Sequence, residues 1–177
     1  CEQIVMAANI EWTIIRAGWF MQNFSEGEFL GMVLDGAITL PAADVPEPFV
    51  DVNDIADVAV AALTGDGHAG EVYEVTGPRL LTFTELAREI SQAAGRDVQF
   101  VPVPREAFAR AIAESGTPED VAWLLDYLFE TVLDGRNASV CDGIHRALGR
   151  EPADFAEYAR RIAARGTWNP ANEEVAA

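Results

Sequence analysis

Residues 12–16, Trp-Thr-Ile-Ile-Arg, constrain the fold more than any other part of the chain. The run is β-rich and almost continuously apolar, the pattern of a parallel strand covered on both faces. Such a strand needs neighbouring strands at its edges and helices above and below. Ala17 and Gly18 follow as a joint, and then come Trp19, Phe20, Met21, Gln22, Asn23 and Phe24. Two readings stand open: ordinary core, or the wall of a cleft at the C-terminal edge of the strand, where open α/β sheets tend to hold ligands.

Strand and helix alternate through the first eighty residues. Residues 2–9 read as the tail of an amphipathic helix leading into the strand. The pattern predicts a helix over 20–34, ended by Asp35 and Gly36, then a short strand over 37–40. The loop that follows, PAADVPEP, is too rich in proline for helix or central strand. The next helix has the clearest start: Asp51 or Asn53 can cap it, and Asp54 sits favourably in its first turn. Ile55, Val58, Ala59, Ala62 and Leu63 follow helical spacing and predict one buried stripe, stopped by Gly65 and Gly67. Residues 71–77 form the next strand. Thr82 and Glu85 then make a capping box, Gly95 ends that helix in a left-handed conformation, and the prolines of 98–104 mark an edge strand. The remainder reads as helical. Val121, Leu124, Leu125, Leu128, Phe129 and Val132 share one face, and a last helix over 152–165 buries Phe155, Tyr158, Ala159 and Ile162.

The alternation argues for part of an α/β layered sheet, with a mostly helical lobe beside it. Two or three parallel strands cannot cover themselves, and the sequence begins at Cys1 with no initiator Met. The chain is therefore expected to be a fragment, preceded by strands that complete the sheet.

Charge excludes some functions. Twelve basic residues against twenty-nine acidic ones give a net charge of −17, a surface that repels phosphate backbones and anionic lipid. No apolar run approaches the roughly 18 residues of a membrane span, and no basic-then-apolar leader opens the sequence. Two cysteines, Cys1 and Cys141, suggest no disulfide framework, which fits a reducing, cytoplasmic setting. Cys141 and His145 lie four apart, but a zinc site wants three or four ligands, so no metal is expected. Against this acidic background Arg16 and Arg79 stand out, Arg79 as an ion-pair partner.

Four separated blocks carry a resemblance: EWTIIRAGWFMQNF, PFVDVNDIADVAVAALT, GEVYEVTGPRLLTFTELAREISQAAGR and DGRNASVCDGIHRALGREPADFAEYARR. Together, in this order, they resemble the C-terminal portion of the NmrA-like, atypical short-chain dehydrogenase/reductase family. The resemblance implies the C-terminal part of a Rossmann-type parallel sheet plus a small helical lobe, with the N-terminal, glycine-rich half missing. Residues 1–80 would belong to the nucleotide-binding sheet, with an excursion into the lobe over about 20–48. Residues 81–168 would form the substrate-side lobe, and 169–177 a tail.

The family's usual Arg-Pro-Gly followed by aromatics reads here as Arg16-Ala17-Gly18-Trp19-Phe20, the implied cofactor-binding residues. Phe20, Met21, Asn23 and Phe24 are the implied substrate contacts. Trp19 and Phe24 read first as packing; for Phe20 and Asn23 the order reverses, because a buried Asn among apolar groups needs a partner. The implied cofactor is NAD(P), with NADP(H) expected first, although the ribose-selecting residue that separates the two is missing. The implied activity is an oxidoreductase moving hydride to a quinone or carbonyl substrate. The alternative is a non-catalytic NAD(P) sensor acting through a protein partner; a homo-oligomer also stays open. The sequence contains no Lys, so a Lys-dependent proton relay is absent from it, and the catalytic residues stay unassigned. Without a pyrophosphate cradle, these residues alone are expected to bind dinucleotide poorly.

Overall fold

A computed structural model of the chain describes residues 1–42 and 44–169, so nearly all of the expected tail lies outside the described residues. Two pairs of parallel strands organise the fold. β1 (Ile14–Ala17) pairs with β3 (Val72–Val75), Ile14 opposite Val72 through Ala17 opposite Val75. β2 (Ala37–Leu40) pairs with β4 (Gln99–Pro102), Ala37 opposite Gln99 through Leu40 opposite Pro102. Helices fill the connections: α1 (Glu2–Ala7), α2 (Leu30–Asp35), α3 (Val52–Thr64), α4 (Phe83–Ala94), α5 (Arg105–Glu114), α6 (Glu119–Tyr127), α7 (Gly143–Leu148) and α8 (Phe155–Ala164).

Local chemistry sets the helix starts as expected. The Asp51 side chain caps α3 by accepting from the Asn53 amide, and Thr82 and Glu85 form the reciprocal capping box of α4. Gly95 closes α4 at φ +67°, a conformation that favours a residue without Cβ.

Burial falls into two clusters. The larger joins β2, α2, α4 and α8 around Phe24, Phe49, Phe83 and Phe155, whose rings meet mostly edge to face, with Phe49 and Phe83 5.5 Å apart. Trp168 is tied to this cluster by a hydrogen bond from Nε1 to the Phe24 carbonyl at 2.7 Å. The smaller cluster holds Val50, Val58, Tyr73, Val75 and Ile144 between β3, α3 and α7. Phe49 belongs to one cluster and Val50 to the next, because adjacent side chains of an extended segment point to opposite sides. Residues 47–50 therefore form the partition between the two.

Several expectations need correction. The predicted helix over 20–34 is broken into a 3₁₀ turn, Met21–Phe24, and the short α2. β1 is only half-buried, with Arg16 and Ala17 exposed, because β3 and α3 cover it on one side alone among the described residues. Leu63 is 85% exposed rather than part of the buried stripe. Val121 and Leu124 are exposed on α6 beside Trp123, which stacks on Tyr127; only Leu125 of that helix packs against the core. α7 lies within the stretch read as the second lobe, yet it packs on β3 and α3. No helix among the described residues is long and apolar enough to cross a membrane.

Candidate functional site

The C-terminal end of β1 is sewn to residues 48–50 by backbone hydrogen bonds. Gly18 donates to the Val75 carbonyl at 3.1 Å, Val50 to Trp19 at 2.8 Å, Met21 to Val50 at 2.9 Å, and Gly77 to Pro48 at 3.1 Å. Glycine is required where these strands crowd. A Cβ on Gly77 would come 2.0 Å from the Phe49 carbonyl oxygen, and one on Gly18 would come 3.2 Å from that of Pro48. The space left by the missing Gly18 side chain is thus taken by neighbouring backbone.

Above this junction lies a cavity of about 560 Å³, within the usual range for small-molecule sites. One wall is Ala17, Gly18, Trp19, Phe20, Asn23 and Pro48. A second stretch of the lining is Leu128 and Val132, from a π-helical turn (Leu128–Val132), followed by Arg136, Asn137, Ser139 and Cys141. Arg16, Glu47, Glu74 and Thr76 complete it. Thr76 holds the second stretch in place: its Oγ1 accepts from the Cys141 amide at 3.0 Å and donates to the Cys141 carbonyl at 3.4 Å.

The structure separates the residues singled out from sequence. Arg16, Ala17, Gly18, Trp19, Phe20 and Asn23 line the cavity. Met21 and Phe24 do not. Both are fully buried in the larger cluster, because the 3₁₀ turn directs them inward and leaves Phe20 and Asn23 on the cavity side. Trp19 spans both environments, meeting Phe83 edge-on at 6.3 Å and Phe129 at 5.8 Å while one surface faces the cavity.

Charge around the cavity is mostly paired. Arg16 donates to Glu2 at 2.6 Å and to Glu74 at 2.8 Å, and these bonds raise its pKa. Arg136 is bound to Asp134, whose carboxyl those hydrogen bonds pull down to about 2. Burial pushes the Cys141 thiol up, so it stays protonated, with Sγ 3.5 Å from a Glu74 oxygen.

Among the described residues three carboxylates are buried, and their partners differ. Burial alone would raise Asp51, but hydrogen bonds from the Asn53 amide, Arg161 and Gln22 outweigh it and hold the group below its ordinary value. Asp54 accepts from Arg150 at 2.6 Å and from the Ala153 amide at 2.8 Å. Glu47 is fully buried, and neither of its side-chain oxygens has a hydrogen-bond partner among the described residues. Burial, followed by the nearby Asp134 charge, pushes its carboxyl up to about 7. Sequence reasoning gave no cavity role to Glu47, Thr76 or the stretch from Leu128 to Cys141: it read Leu128 and Val132 only as a helix face and weighed Cys141 only as a metal ligand.

A model described as the NmrA-like family matches residues 1–159. The chain is 34% identical over 171 residues to an NAD(P)H azoreductase of Xenophilus azovorans, covering 92% of this chain and 57% of that protein. It is 34% identical over 155 residues to an uncharacterized oxidoreductase, YesF, of Bacillus subtilis, covering 87% and 54%. It thus spans a little over half the length of these curated relatives. Among solved structures, an NADPH-dependent quinone oxidoreductase of Escherichia coli in complex with NADPH superposes with a TM-score of 0.79 at 24% identity, over 91% of this chain and 56% of that one. NmrA, a negative transcriptional regulator, in complex with NADP gives 0.64 at 19%, over 94% and 56%. The fold is accordingly the α/β Rossmann-type arrangement, in the portion that carries the C-terminal half of those molecules.

Proposed function

Because this chain belongs to the NmrA-like family, we propose that it builds the acceptor side of an NAD(P)-dependent oxidoreductase site, with the reacting ring and its acceptor in the cavity beyond β1. The single observation that carries this reading is the placement of that cavity. It lies at the C-terminal end of a parallel strand and is lined both by flat apolar groups and by a mixed polar segment.

The residues present fit the nicotinamide end of the cofactor. Trp19, Phe20 and Pro48 offer flat apolar surface to a ring, while Asn23 and Asn137 offer amide groups to a carboxamide or carbonyl. They do not fit the phosphates, since the lining arginines are held by carboxylates and no glycine-rich turn lines the cavity. When bound, the cofactor supplies the hydride. The protein's part is to orient the acceptor against Phe20 and to keep water out. The acceptor we infer is a planar conjugated compound of the quinone or carbonyl class. Residues 1–80, with the 20–48 excursion, are read as the nucleotide side, and 81–168 as the substrate side.

A non-catalytic sensor remains the second reading, favoured by one observation. The chain has no Lys, and two of its tyrosine hydroxyls are engaged elsewhere: Tyr73 with His68 at 2.8 Å, and Tyr158 with Ser25, where burial pushes Tyr158 up to about 12. Steady-state oxidation of NADPH with a panel of quinones, carbonyls and azo compounds tests the choice, using the protein that carries this sequence. Turnover with any of them supports the enzyme. Dinucleotide binding without turnover across the panel refutes it.

A further inference from the structure

Glu47 differs from every other buried carboxylate described here. Asp51 and Asp54 are equally enclosed, but each is matched by an arginine and by backbone donors. Glu47 caps no helix, pairs with no arginine and holds no backbone amide with its side chain. Its backbone is fixed in both directions by Leu81, accepting at 3.0 Å and donating at 2.9 Å, and prolines flank it on both sides. Glu47 lines the cavity, and its carboxyl is enclosed behind that lining with no structural return, although leaving it unpartnered costs free energy.

Resting on the oxidoreductase reading above, we propose that Glu47 is the proton donor of the cleft: as the acceptor enters, the neutral carboxyl turns from its enclosed position behind the lining to the heteroatom and protonates it as the hydride arrives. The charge felt at the group favours the neutral form. The ionised Asp134 raises it, while the cations are engaged elsewhere: Arg136 with Asp134, and Arg16 with Glu74 and Glu2. No cation is left to stabilise a Glu47 carboxylate among these lining residues. With a quinone such as menadione the step balances as follows. Hydride supplied by the bound cofactor would form an O–H bond at one quinone oxygen while the ring π electrons move to the second oxygen. The Glu47 O–H bond would then break, and its proton would complete the hydroquinone. The quinone gains the hydride's electron pair, and Glu47, left as carboxylate, regains a proton from water once product leaves. A carboxyl raised to about 7 suits the task, since a donor works best when its pKa lies near the working pH.

Two measurements test the role, on wild type, Glu47→Gln and Glu47→Asp, with menadione as the probe acceptor. Infrared titration without cofactor should show a carboxylic-acid C=O band in wild type that disappears around pH 7, is absent in Glu47→Gln and shifts when menadione is added. Steady-state kinetics should show kcat about 100-fold lower in Glu47→Gln with KM little changed. Wild-type kcat should fall as pH rises through about 7, and Glu47→Gln should lose that limb. Glu47→Asp should keep the limb at reduced kcat. A missing infrared band, or Glu47→Gln with wild-type kcat and the wild-type pH profile, overturns the proton-donor role alone. Wild-type protein that binds NADPH but turns over no acceptor overturns the oxidoreductase reading on which that role rests.

Discussion

Glu47→Gln makes a prediction about stability that needs no ligand. The folded protein holds the Glu47 proton up to about pH 7, whereas an unfolded chain releases it near 4.5. The stabilising contribution is therefore complete below pH 4.5 and is lost as pH rises through about 7, when the buried group must ionise or stay protonated at a cost. At 1.36 kcal/mol per pH unit the full loss is about 3 kcal/mol, and most of it falls between about pH 5 and pH 8. Gln has the same shape and no titration. Urea unfolding of both proteins across that range isolates the group, because the other titrations are shared and cancel in the difference. Glu47→Gln should gain about 2–3 kcal/mol on wild type between the two ends, and should be the more stable protein in alkaline buffer. Adding Asp134→Asn to the Glu47 protein should shift the loss to lower pH. A wild-type-minus-variant difference that stays flat within about 0.5 kcal/mol would mean that Glu47 ionises freely, and the account of its burial would be wrong.

The two phenylalanines of the opening segment should separate sharply. Phe20→Ala should leave unfolding free energy within about 0.5 kcal/mol while weakening menadione binding, whereas Phe24→Ala should lose about 3–5 kcal/mol by opening a core cavity; equal losses would contradict the placement of Phe20 at the cavity. Gly143→Ala would put a Cβ 2.3 Å from the Glu74 carbonyl oxygen, backbone against backbone, and should cost about 2–3 kcal/mol by chemical denaturation. Arg150→Ala leaves buried Asp54 with the Ala153 amide alone and should cost about 1.5–3 kcal/mol. Arg105→Ala, whose carboxylate partners are exposed, should cost no more than about 1 kcal/mol, and a reversed order would refute the distinction.

What the sequence disclosed was local. The Asp51 cap, the Thr82–Glu85 box and the Gly95 stop are written within a few residues of where they act, and the structure has all three. Periodicity failed where tertiary surroundings decide. Leu63 and Leu124 keep helical spacing, yet both are exposed. The apolar run after Gly18 reads as one helix, while its short 3₁₀ turn sends Met21 and Phe24 to the core and Phe20 to the cavity. Glu47 could not be found by pattern at all. A lone carboxylate between prolines has no period, and its significance lies in partners it does not have. The stretch from Leu128 to Cys141 was hidden for another reason: only folding brings it to the same cavity as residues 17–20.

That assembly has a kinetic corollary. Thr76 and Cys141 clip the cavity shut across 65 positions of sequence, and Trp19 touches Phe129 across a still longer span. Contacts so far apart bear their loop-closure entropy before they return any stability. Helices such as α3 and α4 can form early from their own caps, but the cavity should be among the last features to appear and the first to dissolve. A compound resting between Phe20 and Val132 would then act as a late fastener, slowing unfolding more than it speeds folding. Unfolding rates measured with and without menadione would reveal occupancy of the cleft even in a variant that performs no chemistry.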